Sequence, residues 1–492
     1  MGEQREAYSG VSDPGQTRPS TPPRYTRKPG DRFVRRAVLR PESVTLPTPK
    51  KRRRPRPPAL VPVLGFAGVI LVGAILLSLP IATTDGHSTP FIDALFTSAS
   101  AVSVTGLVVV DTGTHWNAFG QAVVLALIQI GGLGFMATST LLLLLVGRRA
   151  TLRDRMALGL TMGTPEPGGA MRLLRRIALM TLIIESVGGL LLFLRFIQEM
   201  SPGRALWWGL FHGISAFNQA GFDVIGDFQS MTVYQRDPWI LLTMATLIIL
   251  GGIGYTPLAD VFRCRCWRRL TVDTKLVLST TAALLAAGTI GFLLMEWNNP
   301  ATLGRLPWAD RLLNSYYLSV VPRSAGLSAI PIEELREQSL VFTIALMFIG
   351  GASGSTAGGI KVQTFSLLLF AILAAITGRE SVVAFGREIP PRQIYQALAV
   401  VLLSIALIFL VALGLTVFEP FDPIDVAFET VSAFGTVGLS TGITPQLGPG
   451  SRLFLIAIMF TGRLGPLTLA LALAARPTRR GIGYARENVK IG

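Results

Sequence analysis

The sequence has 492 residues, of which half are hydrophobic and only 15% charged, and its formal net charge is +16. This composition is typical of a polytopic membrane protein and excludes an ordinary soluble domain. Transporters and membrane-bound enzymes both fit it, so the order of elements along the chain has to distinguish them.

The chain begins with a basic tail, residues 1–56. It holds 15 Lys or Arg and 5 Asp or Glu, a net charge of +10, and ends in the run KKRRRPRPP. We expect a disordered cytoplasmic segment. A basic run directly before a membrane span is more often an orientation signal or a lipid contact than a nucleic-acid arm, so membrane lipid is the predicted partner and nucleic acid is not.

Long apolar runs then alternate with shorter ones. The first long run, residues 58–80, can cross a hydrocarbon core and begins too late to be a signal peptide. The short segments have 13 to 15 residues and begin at Pro90, Ala205, Pro307 and Asp422. A helix of that length spans about 20 Å, too little to cross, which is typical of a re-entrant element.

A related glycine-containing stretch ends each short segment: SAVSVTGL, SAFNQAGF, VVPRSAGL and SAFGTVGL. Aligned without gaps, they make Gly106, Gly221, Gly326 and Gly438 equivalent, 115, 105 and 112 residues apart. Such a period is a whole supersecondary unit. We therefore predict an all-α polytopic membrane protein of four units, each a span, a half-helix, a loop and a span. Eight spans and four re-entrant loops would have a pseudo-fourfold arrangement.

Charged connections predict the orientation. The loops between units are basic, whereas Asp111, Asp223 and Asp227 follow the glycines. Because basic loops stay inside, both termini should be cytoplasmic and the re-entrant loops should enter the cell membrane from outside. The predicted divisions are the tail 1–56, the repeats 57–147, 148–262, 263–377 and 378–476, and a cytoplasmic tail 477–492.

Four re-entrant loops around one axis would make a cation path. Non-helical backbone at membrane depth lines a cavity or is buried in protein, and carbonyl rings can replace the hydration shell of a cation. Half-helix C-termini favour cations, and Asp111 and Asp223 would concentrate them at the outer mouth. Simple helix packing through small residues explains the preceding half-helices poorly. The predicted filter residues are Val104, Thr105, Gly106, Gln219, Ala220, Gly221, Ser324, Ala325, Gly326, Thr436, Val437 and Gly438.

A second feature lies in the third unit. Residues 338–377 would form a helix of about 60 Å, twice the hydrocarbon thickness, so a break is predicted at GGASGSTAGGI, residues 350–360. In the fourth unit, Arg463 lies about twelve residues from either end of its span, beyond the reach of snorkelling. The predicted gate comprises Gly350, Gly351, Gly354, Ser355, Thr356, Gly358, Gly359 and Arg463.

Arg463 should face a polar interior and have a partner. Below a cation filter its charge would repel passing ions, while a fixed structural salt bridge is the alternative. Lys361 is expected to snorkel, with a second gate as the less favoured alternative. Glu185 is expected to make ordinary hydrogen bonds between helices, and Glu296 to lie on the outer surface.

The motifs TGLVVVDTG, LIQIGGLGF and GSTAGGIK, together with the four filter loops, resemble the Ktr/Trk superfamily of potassium uptake subunits over residues 58–492. Eight spans and the C-terminal ARENVKIG resemble its KtrB branch. The resemblance implies potassium selectivity at the four glycines and an intramembrane barrier formed by the third-unit loop and Arg463. It also implies a homodimer and a cytosolic nucleotide-binding regulatory subunit. Symport with sodium or a proton as coupling ion is a candidate mechanism, and no covalent cofactor is expected.

Two other functions are weaker. An enzyme is not predicted, because no nucleophile with a base, metal cluster or cofactor fingerprint appears, and GLGFMA at 132–137 matches a dinucleotide motif without any βαβ frame. A secondary transporter for another small cation or solute would be built from inverted repeats. The loop charges instead give all four units one orientation.

Overall fold

The computed structural model describes residue 29 and residues 60–133 and 169–465, with side chains from 63 and from 174 in the two long ranges. Both tails, the basic loop between the first two units and most of the GLGFMA motif lie outside the described residues. Within them the chain is mainly helical. The α-helices are α1 Leu60–Ser78, α2 Phe91–Ser103, α3 Ala118–Gly132, α4 Gly169–Phe196, α5 Pro202–Asn218, α6 Pro238–Ile253, α7 Tyr255–Cys264, α8 Val272–Glu296, α9 Trp308–Val320, α10 Glu337–Phe348, α11 Val362–Ile376, α12 Pro391–Phe418, α13 Pro423–Gly435 and α14 Pro449–Leu464.

Three of the described helices are long and apolar enough to cross a membrane by themselves. They are α8, α12 and the Leu174–Phe196 part of α4. A fourth crossing exists if α6 and α7, which meet at a bend of 96°, count as one broken span. The described parts of the other apolar helices are shorter than a full crossing. The expected eight spans therefore remain a prediction.

Two short strands form the described sheet. Strands β1 Val383–Ala384 and β2 Arg387–Glu388 pair antiparallel between α11 and α12. Phe385 and Gly386, between the strands, both have positive φ, as the mirror-image turns of tight hairpins require. The hairpin closes the connection between the third and fourth units.

Helix packing is cyclic. The short helices α2, α5, α9 and α13 each pack against the long helix before them. The helix that follows each short helix packs against the short helix of the next unit: α3 on α5, α6 on α9, α10 on α13, and α14 back on α2. The four glycine-containing stretches at the ends of the short helices are thereby brought to one place.

Candidate functional site

The backbone after each short helix has an unusual conformation. The second residue before each equivalent glycine has positive φ, and so has the glycine itself. For β-branched residues such as Val104 (φ 58°) and Thr436 (φ 47°) this is a genuine outlier. Such strain costs roughly 1–3 kcal/mol per residue and persists only where surrounding contacts impose it. We call these four segments the glycine loops: Val104–Gly106, Gln219–Gly221, Ser324–Gly326 and Thr436–Gly438.

The four glycines lie side by side in a closed ring. A Cβ atom on Gly106 would lie 2.6 Å from Cα of Gly221, and one on Gly326 would lie 3.0 Å from Cα of Gly221 and 3.2 Å from Cα of Gly438. A Cβ on Gly438 would lie 3.0 Å from Cα of Gly106, which closes the cycle. No side chain fits at these positions. We call this arrangement the glycine ring.

Main-chain oxygens line the same place. A Cβ atom on Gly221 would lie 3.2 Å from the carbonyl oxygen of Thr105 and 3.4 Å from that of Ala325. The carbonyl oxygen of Val437 would be 2.5 Å from a Cβ on Gly326. The residue before each ring glycine therefore presents its carbonyl oxygen next to a neighbouring loop.

Serine side chains hold three of the loops. Ser100 Oγ accepts a hydrogen bond from the amide of Gly106 at 3.0 Å, and Ser432 Oγ accepts one from Gly438 at 3.1 Å. Ser215 Oγ donates to the carbonyl oxygen of Phe222 at 2.6 Å. Each serine stands six residues before its glycine and is fully buried. These bonds fix the three loops from behind.

The third glycine loop is held differently, and sequence reasoning missed how. Val320 stands where the other units have serine, and Ser324 Oγ donates to the carbonyl oxygen of Gly435 at 2.8 Å. The neighbouring Arg323, only 7% exposed, donates to the carbonyl oxygen and hydroxyl of Thr281 at 3.4 and 3.3 Å. Among the described residues, no carboxylate pairs with it. A charged residue three positions before the glycine was the only available sequence signal.

One side of the ring opens into a cavity of about 460 Å³, which we call the vestibule. The four ring glycines and four acidic residues, Asp111, Asp223, Asp227 and Glu333, line it, and no Lys, Arg or His among the described residues does. The vestibule therefore carries a negative potential that favours cations. Sequence reasoning assigned Asp111 and Asp223 to an outer mouth and did not assign Asp227, or Glu333, which precedes α10.

Asp111 also has a structural role. Its carboxylate accepts hydrogen bonds from the amide and hydroxyl of Thr114 at 2.7 and 2.8 Å, and from the amide of Phe228 at 2.7 Å. Phe228 belongs to the second unit, so this side chain joins the rims of two units. Asp223 accepts from the amide of Ile225 at 3.0 Å. Backbone amides around the vestibule thus hold the carboxylates of Asp111 and Asp223 in place.

On the side away from the vestibule lies the break loop, residues 349–361, between α10 and α11. Its ends are joined, since the amide of Gly350 donates to the carbonyl oxygen of Ile360 at 2.9 Å. A Cβ atom on Gly359 would lie 3.2 Å from Cα of Gly435, and one on Gly358 would lie 3.0 Å from Cβ of Thr436. The loop therefore packs against the end of α13 just before the fourth glycine loop.

The break loop is also bonded to the second unit. The amide of Ala352 donates to the carbonyl oxygen of Gly252 at 2.8 Å, and that of Thr356 to Gly251 at 3.3 Å. Thr356 Oγ1 donates to the carbonyl oxygen of Phe217 at 3.1 Å. Phe217 lies in the last turn of α5, so the loop is docked directly behind the second glycine loop. Of the predicted gate residues, Gly354 and Ser355 form the tip of this loop.

Arg463 joins the break loop to the first unit. Its guanidinium, 9% exposed, donates to the carbonyl oxygens of Thr356 and Gly131. None of the described carboxylates forms an ion pair with it. The structural salt bridge considered as an alternative is therefore wrong within the described residues, and no carboxylate among them compensates the positive charge.

Lys361 brings a second cation to the same place. Its ammonium donates to the carbonyl oxygen of Ala357 at 2.6 Å, inside the break loop. The expected snorkelling to the membrane surface is wrong, because this bond turns the side chain back along the loop. The break loop thus carries one lysine and receives one arginine.

The two glutamates differ from each other. Glu185 accepts from Gln129 at 3.0 Å and from Asn218 at 2.7 Å, which confirms hydrogen bonding between helices. Glu296 is not on the surface as expected, but fully buried. It accepts from the side chains of Asn299, Thr302 and Ser339 and from the amide of Arg336. These donors replace the water that an exposed carboxylate would bind.

The fold and the site together define a membrane cation transport protein. A family model described as "Cation transport protein", TrkH, matches residues 69–480. The chain therefore belongs to the TrkH cation transport family, and the resemblance seen in its motifs is confirmed.

Named relatives cover most of the chain. The Ktr system potassium uptake protein B of Bacillus subtilis (strain 168) is 42% identical over 417 residues, 85% of this chain and 93% of that protein. The potassium/sodium uptake protein NtpJ of Enterococcus hirae is 36% identical over 450 residues, 90% and 99% of the two chains. The crystal structure of the potassium transporter TrkH from Vibrio parahaemolyticus matches with a TM-score of 0.66 at 19% identity, over 86% of each chain. This last likeness shows the fold alone.

Proposed function

We propose that the protein takes up potassium across the cell membrane through a filter made by the four glycine loops. The observation that carries the proposal is the closed glycine ring, whose preceding carbonyl oxygens lie beside one another. Carbonyl oxygens arranged in this way replace the hydration shell of potassium. The relative from Bacillus subtilis, named a potassium uptake protein, supports potassium as the ion.

Three features favour entry of a cation into this filter. Short helices end at the glycine loops, so their partly negative C-termini are directed at the ring. The acidic vestibule concentrates cations before the ring. The serine hydrogen bonds hold the loops in a strained shape that a flexible chain would leave.

We propose that the break loop and Arg463 form the gate below the filter. The two hydrogen bonds from the guanidinium hold the loop under the ring, and its uncompensated charge repels an arriving cation. Because the acceptors are neutral carbonyl oxygens, the arginine can leave them without exposing a buried carboxylate. Opening then consists of moving the loop and the guanidinium aside.

The proposed architecture has eight spans in four pseudo-equivalent units, with the vestibule outside and both termini in the cytoplasm. The cyclic packing of each unit on the next supports it. A homodimer, and a cytosolic nucleotide-binding subunit that controls the break loop, belong to the same proposal. Sodium or a proton is the proposed coupling ion.

Sodium as a second transported ion has one supporting observation. The relative from Enterococcus hirae is named a potassium/sodium uptake protein. A filter that passes both ions would leave the ring geometry intact and differ only in how well its oxygens compensate dehydration.

Potassium uptake by a transport-deficient cell, with rubidium and sodium as competitors, tests the proposal. We expect rubidium to compete and sodium to compete weakly in the wild type. The Gly438→Ser variant should lose this discrimination, because its side chain would meet the carbonyl oxygen of Thr105. Equal competition by sodium and rubidium in the wild type would establish a non-selective path and overturn the filter.

A further inference from the structure

The chain bends sharply just past the end of α6. Helix α7 leaves α6 at 96°, and the bend lies at Gly254, whose φ of 87° and ψ of 158° are accessible almost only to glycine. Since α6 runs through the membrane in the proposed architecture, α7, which leaves it at nearly a right angle, runs roughly parallel to the membrane plane. It lies on the face opposite the vestibule.

The exposed side of this segment combines arginines with aromatic rings. Arg263, Arg265 and Arg268 are exposed, and among the described residues none of them pairs with a carboxylate. Two aromatic residues stand next to these arginines in the sequence: Phe262 is 69% exposed and Trp267 is 48% exposed. We call residues 255–269 the basic elbow.

The only acidic residue of the elbow does not neutralise it. Asp260 accepts hydrogen bonds from the amide and hydroxyl of Thr271 at 3.0 Å and from the hydroxyl of Thr274 at 2.7 Å. These contacts clamp the elbow to the first turn of α8. The arginine side chains are left free to meet an external anion.

We propose that the basic elbow binds the headgroups of anionic lipids at the inner membrane surface. A helix lying in the interface with arginines beside exposed Trp and Phe is the arrangement that such surfaces bind, because the rings enter the headgroup layer while the charges meet phosphates. An acidic protein would need the arginines but not the two aromatic side chains. The 96° bend directs both sets away from the axis of α6.

The elbow is next to the proposed gate. A Cβ atom on Gly254 would lie 3.4 Å from the carbonyl oxygen of Ser353 and from the amide of Ser355, at the tip of the break loop. The amide of Ala352 is bonded to Gly252, two residues before the bend. Lipid binding at the elbow therefore acts on the break loop, a consequence that rests on the proposed function.

Lipid binding can be measured without transport. The full-length protein is reconstituted in neutral phosphatidylcholine, with or without about 30% brominated phosphatidylglycerol. The difference between wild type and Trp267→Phe isolates the fluorescence of Trp267. We expect the anionic brominated lipid to quench this fluorescence more than brominated phosphatidylcholine at the same fraction.

The triple variant R263Q/R265Q/R268Q should lose this preference, since each arginine near an anionic surface strengthens association by roughly fivefold. The control R379Q/R392Q removes two exposed arginines near the β-hairpin, leaves Arg387 and the Phe385 ring that contacts Trp267 in place, and should keep the preference. Equal quenching by the two brominated lipids, or an equal loss in the control, would overturn the proposal. So would binding of polyglutamate through the elbow arginines without any headgroup preference, because the elbow would then be a protein-docking surface.

Rubidium flux into the same liposomes tests the link to the gate. We expect anionic lipid to change the wild-type flux at least twofold and to leave the flux of R263Q/R265Q/R268Q unchanged. If quenching is headgroup-selective but the wild-type flux does not depend on lipid composition, the link between lipid binding and the gate is overturned. Headgroup-selective quenching without any flux would instead count against the proposed function and leave the lipid site standing.

Discussion

Replacing Arg463 with alanine should raise potassium flux through the closed protein. The guanidinium donates to the carbonyl oxygens of Thr356 and Gly131, and a hydrogen bond to a charged group contributes about 1.5–3 kcal/mol. Loss of two such bonds at the lower value destabilises the closed loop by about 3 kcal/mol, which shifts its equilibrium by roughly 100-fold. Removing the charge also removes a repulsion of about 2 kcal/mol on a cation roughly 8 Å away. We expect the uptake rate to rise at least tenfold.

Two further variants separate the charge from the hydrogen bonds. Arg463→Met keeps the volume and removes the charge, so its rubidium uptake should match that of Arg463→Ala. Arg463→Lys keeps the charge but loses the fork that reaches both carbonyl oxygens, and should stand between these and the wild type. Uptake is measured in liposomes with protein that elutes as the wild type does. Wild-type rates in both neutral variants would refute the gate, and equal rates for lysine and alanine would refute the repulsion.

Three other substitutions test the ring, the vestibule and the outer scaffold. Gly438→Ala should abolish discrimination between rubidium and sodium. The control Gly450→Ala changes a helical position with open space around it and should leave discrimination unchanged. Equal selectivity of the two variants would contradict the role of the glycine ring in selecting the ion. Glu333→Gln should lower uptake about twofold at low ionic strength and have no effect in high salt, because exposed charges are screened there; a loss that persists in high salt would point to a folding defect. Glu296→Gln should lower the free energy of unfolding by roughly 2–4 kcal/mol, because the new amide NH₂ group would face hydrogen-bond donors that the carboxylate now accepts from. An unchanged melting temperature in detergent would contradict this buried hydrogen-bond network.

The short helices and the glycines after them could be predicted from the sequence because both signals are local. Short helices begin within three residues of the predicted positions, at Phe91, Pro202, Trp308 and Pro423. Proline at or just before a helix start favours such a boundary, since its fixed φ suits the first turn. Glycine at the equivalent position is required by positive φ and by close backbone approach, and neither depends on which side chains surround it.

Residues whose role depends on distant partners could not be placed in the same way. Arg323 is buried because Thr281, in the first helix of its own unit, accepts its hydrogen bonds. Glu296 is buried because donors from two later loops meet it, although its position at the end of a span suggested the surface. Lys361 turns inward because its own loop offers a carbonyl oxygen within reach. In each case the chain brings together groups far apart in sequence or folds back on itself, and no local pattern encodes that.

The break loop contacts the second and fourth units directly and is linked to the first through Arg463, an arrangement that would let the proposed gate act on several units at once. It bonds to Gly251 and Phe217 in the second unit, packs against Gly435 in the fourth, and reaches Gly131 of the first through Arg463. The acceptors of these hydrogen bonds, from the loop and from Arg463, are main-chain oxygens, which carry no net charge. A carboxylate partner would hold the arginine more firmly and would also cancel the repulsion that blocks cations. In the proposed gate, neutral acceptors would therefore leave the repulsion intact and still let the arginine depart, which a structural salt bridge would not.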